Sequence, residues 1–107
     1  MNTRPILFAQ HKECTWLESV LLEVGSERLR QEERCEEKLA EGLNWHSCAS
    51  PLLADGDKLA VLVEEVGEVA KECCDLRANG ESGEARLRLR TELIQVAAVA
   101  VAWAESL

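Results

Sequence analysis

Six glycines and two prolines are all that punctuate this chain of 107 residues, and they leave three long runs of good helix formers: about Lys12 to Glu41, Asp57 to Ala78 and Gly83 to Ser106. No stretch of Val, Ile or Thr alternates with polar residues as a half-buried strand would, Tyr is absent and Phe occurs once. The expected class is all-α. One domain covers residues 1–107, with an N-terminal extension at 1–11 and a loop at 42–56. Asn79-Gly80-Glu81-Ser82-Gly83 supplies a helix stop and a tight reversal, so the second and third runs are expected to form an antiparallel hairpin. The first run has an apolar stripe only in its N-terminal half, at Leu17, Val20, Leu21 and Val24. A break or bend is expected at Gly25-Ser26, followed by a solvated face of mixed charge from Glu27 to Glu41.

Twelve Lys and Arg stand against 20 Asp and Glu, a formal charge of −8. That balance disfavours nucleic-acid polymers and anionic membranes, whose partners need a basic footprint. It leaves nucleotides open, because a divalent cation between a carboxylate and a phosphate removes the repulsion. The five cysteines, Cys14, Cys35, Cys48, Cys73 and Cys74, form no regular framework, which points to a reducing, cytoplasmic setting. With only His11 and His46 and no Cys-x-x-Cys pair, a structural zinc site has no evident ligands. Ile6 to Ala9 is too brief for a signal-peptide core. The longest apolar run, Leu93 to Ala104, falls short of the roughly 20 residues that span a bilayer.

On the second run, Leu59, Leu62, Val63, Val66, Val69, Ala70 and Cys73 share one face at helical spacing, and Glu64, Glu65, Glu68, Glu72 and Asp75 gather opposite. The plain alternative for such acids is a solvated face. However, Glu64–Glu68 and Glu68–Glu72 are like-charge i,i+4 pairs that weaken a helix unless a cation compensates. The third run is sharper: Glu92 lies in the stripe of Leu89, Val96, Val99 and Trp103, and an acid in an apolar stripe needs a partner, a proton or a metal. Gln95 adds a neutral oxygen one turn on. If Glu65 and Glu68 face Glu92 across the hairpin, hard oxygen donors with excess negative charge converge, a set that selects Mg²⁺ or Mn²⁺. Val96 to Ala104 is apolar on every side, more than a three-helix monomer can bury, so a dimer is implied.

Glu64-Glu65-Val66-Gly67-Glu68 followed by Glu92-Leu93-Ile94-Gln95 resembles the signature of the MazG-like all-α nucleoside triphosphate pyrophosphohydrolases: Glu-Glu-x-x-Glu on one helix and Glu-x-x-Asp on the next. The first half matches in full; in the second, Gln95 replaces the expected Asp. The resemblance extends from about Lys58 to Leu107 and touches Ser26 to Glu33. It implies that the hairpin and the long first helix complete a multi-helix bundle by homodimerisation, or in a homotetramer. It implies hydrolysis of a nucleoside triphosphate between the α- and β-phosphates, with Mg²⁺ or Mn²⁺ held at Glu65, Glu68, Glu92 and Gln95. Glu64 is the candidate for positioning or deprotonating the attacking water. Trp45 and His46 are candidates for base contacts, and Lys58, Lys71, Arg30 and Arg34 for phosphate contacts, against the plainer readings of a bundle cap for Trp45 and solvated charges for the rest. A helical dimer that binds nucleotides or a protein partner without turnover is the alternative from another class.

Overall fold

The computed structural model describes residues 14–107, and these form three α-helices: α1 (Cys14–Ala40), α2 (Asp55–Asn79) and α3 (Gly83–Glu105). The fold is all-α, with no strand among the described residues. The extension at 1–11, His11 and the expected helix start at Lys12 lie outside the described residues. α2 begins two residues ahead of its expected start, because the amides of Asp57 and Lys58 both donate to the carbonyl of Ala54. Asp55 and Asp57 thus occupy the first turn, where their charge complements the helix dipole. The reversal at 79–83 forms as expected: Gly80 stops α2 at φ +82°, and the Ser82 hydroxyl accepts from the amide of Ala85 at 3.0 Å to cap α3.

The expected break at Gly25-Ser26 is corrected by an α1 that runs through both residues. The inward stripe that sequence ended at Val24 continues as Glu27, Arg28 and Cys35, all buried, and one face packed throughout keeps the helix going past a glycine that costs only about 1 kcal/mol.

α3 is the central element. It packs against α2 on one side and α1 on the other, while α1 and α2 do not pack on each other. One buried cluster joins Val24 of α1 to Ile94 and Ala98 of α3, with Val20 and Ala97 against it. A second joins Val99 and Ala102 of α3 to Cys48 of the loop, with Leu53, Val61 and Leu62 against it. Polar ties lock the same contacts. Arg28 Nε donates to Glu105 at 2.6 Å, Arg90 pairs with Glu23, and Arg88 pairs with Glu72 at 3.2 Å. At the far end of the hairpin the Trp103 indole donates to Asp55 at 2.8 Å, and Lys58 Nζ donates to the Ser106 hydroxyl at 2.6 Å.

α2 presents a different face to α3 from the one its apolar pattern suggested. Val61, Leu62, Glu65, Val69, Glu72, Asp75 and Leu76 are the half-buried positions, whereas Leu59, Val63, Val66, Ala70 and Cys73 are exposed. The correction has a physical cause. α3 offers Arg88 to Glu72, and its small Ala98 and Ala102 let the other helices approach closely, so the acidic edge of α2 turns inward and its most apolar edge is left uncovered. Trp16 of α1 is 81 % exposed. The resulting body is open, with a radius of gyration of 16.4 Å against about 13 Å for a compact chain of this length. No helix among the described residues is long and apolar enough to cross a membrane.

Candidate functional site

Because α1 and α2 both lean on α3 without meeting, they leave a wedge above it, and the loop from Glu41 to Ala54 folds over one end. The result is a cavity of about 210 Å³. Gln31 and Arg34 line it from α1, Val61 and Glu65 from α2, Gln95 and Val99 from α3, and Trp45, His46, Cys48 and Leu53 from the loop. The loop is seated by local bonds. The buried Cys35 thiol donates to the Trp45 carbonyl at 3.4 Å, the Trp45 amide donates to Leu43, and the Ala49 amide donates to the Ser47 hydroxyl at 3.2 Å. Trp45 keeps half of its surface exposed, so an indole face remains free for a flat ligand.

The lining residues divide by chemistry. Trp45, Cys48, Leu53, Val61 and Val99 give the lining apolar surface, while Gln31, Arg34, His46, Glu65 and Gln95 supply donors, acceptors and charge. Burial pushes the Cys48 thiol up, against the pull of the nearby Lys58 and Arg28 charges, and a protonated thiol is a poor nucleophile.

Glu65 carries the electrostatic signature of the site. Its pKa is raised, first by burial and then by the charges of Glu92, Glu64, Glu68 and Glu27. Glu92 is half-buried on α3, and Glu64 and Glu68 are exposed beside Glu65 on α2. Four carboxylates thus act on Glu65, a group with hard oxygen atoms and an excess of negative charge that suit Mg²⁺ or Mn²⁺ in donor chemistry. As they lie, no three His, Cys, Asp or Glu side chains among the described residues stand close enough together to hold an ion.

Sequence reasoning missed Glu27, which was assigned to a solvated face. It is 1 % exposed. Arg30 Nε donates to its Oε1 at 2.8 Å and Arg34 Nη2 donates to its Oε2 at 3.2 Å, and Gln95 also favours its charged form. Burial raises its pKa, but these hydrogen bonds outweigh burial and hold it below the ordinary glutamate value. The overlooked signal was register: Val20, Val24, Glu27 and Gln31 follow one another at helical spacing, so Glu27 is an acid in a packed stripe, as Glu92 is.

The structure therefore brings Glu65, Gln95, Arg34, Trp45 and His46 to one cavity, with Glu92 acting on Glu65. Arg30 stands one step back, bound to Glu27. Two expected phosphate contacts are elsewhere. Lys58 is buried beneath the hairpin end on Ser106, and Lys71 is exposed on α2 away from the cavity lining. Lys58, only 2 % exposed, fastens the first turn of α2 to the end of α3 and has no surface to offer a ligand. No family model, no curated protein and no solved structure matches the chain.

Proposed function

We propose that the protein is a MazG-like nucleoside triphosphate pyrophosphohydrolase of house-cleaning type, working with Mg²⁺ or Mn²⁺ as a homodimer or homotetramer. The observation that carries this reading is the position of Glu65, an acid on the lining of the cavity beside Gln95 and Arg34. Glu65 stands on the lining of a cavity whose other residues suit a base and an anion, and the like charges of Glu92, Glu64 and Glu68 act on it from outside that lining. Repulsion of that kind weakens a fold, and a cation with a phosphate on it turns the same charges into a binding site.

The apolar surface of the cavity, which includes Trp45, has room for a heterocyclic base, and His46 and Gln31 offer hydrogen bonds to the base edge. Arg34 supplies the one cationic group on the lining to the phosphates, which extend toward the acids of the hairpin. Glu65, Glu68, Glu92 and the Gln95 carbonyl oxygen are the groups that would hold the cation. When bound, it supplies Lewis acidity at the phosphate oxygens and neutralises their charge. Glu64, exposed beside Glu65, takes the proton of the water that adds across the α,β-anhydride, and the pyrophosphate leaves as the monophosphate forms.

Gln95 sits where the resembled signature has Asp, and it lines the cavity beside Glu65. A neutral ligand lowers the charge of the cation site by one, so the protein is expected to need more Mg²⁺ than a four-carboxylate site would, and Gln95→Asp is expected to tighten Mg²⁺ binding. The test of the function is a panel of canonical and modified triphosphates with Mg²⁺ or Mn²⁺, read by pyrophosphate release. Turnover that Glu65→Gln abolishes supports the reading. Nucleotide binding without turnover by any member replaces it with a binding module.

A further inference from the structure

The Glu27 carboxylate is the most completely buried acid among the described residues, and the two side chains that bind it, Arg30 and Arg34, both come from α1. Arg34 binds Glu27 from the cavity lining, while Arg30 binds it from outside the lining. Arg34 has a long, mobile side chain that is more than half exposed. Left to itself on a helix surface, it would sample many rotamers and pay entropy to meet an anion. Tied through Nη2 to a carboxylate that burial and Arg30 hold fixed, its guanidinium is set in place, with its remaining N–H groups available to the cavity.

Resting on the proposed nucleotide-binding reading, we propose that Glu27 is a positioning residue that holds Arg34 at the cavity as a preorganised arm for the phosphate chain of the ligand. Arg34 touches the anion, and Glu27 acts only through Arg34. A solvated ion pair would do none of this; the burial of Glu27 makes it an anchor.

The test is a double-variant cycle read by calorimetric binding of inorganic tripolyphosphate with Mg²⁺ present, with thermal melting as the control for folding. Arg34→Ala and Glu27→Gln are each expected to weaken binding about tenfold, the loss of one well-placed charged hydrogen bond. The double variant is expected to bind no more weakly than Arg34→Ala alone, and Glu27→Asp, which keeps the charge, is expected to recover part of the loss. Additive losses, unchanged binding in Arg34→Ala, or no binding of tripolyphosphate to the wild type would each overturn the proposal. Arg34→Lys covers the case in which Glu27→Gln fails to fold. A point charge without the planar fork should bind more weakly than wild type, and wild-type affinity there would equally overturn it. Turnover of triphosphates by the wild type separates the two readings. Pyrophosphate release with an unaffected Arg34→Ala leaves the function standing and removes the arm, whereas coupled binding without any release does the reverse.

Discussion

Glu65 and Glu27 show how two glutamates in one fold come to opposite protonation behaviour. Glu65 is raised by burial and by like charges, so the folded state holds its proton more tightly than the unfolded chain does. Its contribution to stability is therefore complete below the ordinary glutamate range and is lost as pH rises through its folded value. Glu27 is lowered, despite its burial, by Arg30, Arg34 and Gln95; its contribution is present above the ordinary range and is lost as pH falls through its folded value. In the absence of divalent cations, Glu65→Gln should raise the melting midpoint by about 2 to 4 °C at neutral pH and leave it unchanged in acid. Thermal melts in chelator at the two pH values check this, and a destabilised variant at neutral pH would contradict it. Glu92 was legible in the sequence because an acid interrupts an otherwise apolar stripe. Glu27 was not, because its neighbours in sequence are charged and its stripe shows only once Val24, Cys35 and α3 are seen together.

Among the elements, the turn between α2 and α3 was the most legible, since Gly80 and Ser82 each have one conformational purpose there. Ser82→Ala removes the hydroxyl that accepts from Ala85, at a cost of about 1 kcal/mol and about 5 °C in melting midpoint, with turnover unaffected. Scanning calorimetry beside the pyrophosphate assay reads both. A loss of activity out of proportion to stability would mean that the hairpin end takes part in the site. The face of α2 was the least legible, because periodicity reports which residues are apolar and not which neighbour covers them. Arg88 and the small alanines of α3 drew the acidic edge inward, an outcome that depends on the partner helix.

At the scale of the molecule, the open shape and the uncovered apolar edge belong together. Leu59, Val63, Val66, Ala70 and Cys73 recur at alternating steps of four and three, the spacing of a helix–helix seam, and all five are exposed. Ala100, Val101 and Ala104 are exposed as well on α3, the helix whose apolar girth pointed to a second copy. The proposed oligomer covers these surfaces. Light scattering should return a dimer or tetramer for the wild type at micromolar concentration and a smaller species for Val63→Glu, which buries a charge in the seam. A stable wild-type monomer would contradict the shared bundle. The class of the fold was legible because helix propensity and sparse punctuation act locally. The proposed assembly rests on a surplus of apolar residues, and the cavity was not legible at all, since it arises where α1 and α2 fail to meet. The central claim is cleavage between the α- and β-phosphates. It is tested most directly by phosphorus NMR of a turned-over triphosphate incubated with the protein and Mg²⁺. The account predicts monophosphate and pyrophosphate in equal amounts, and neither with Glu92→Gln. Diphosphate with orthophosphate, or an unchanged spectrum across the triphosphate panel, would contradict it.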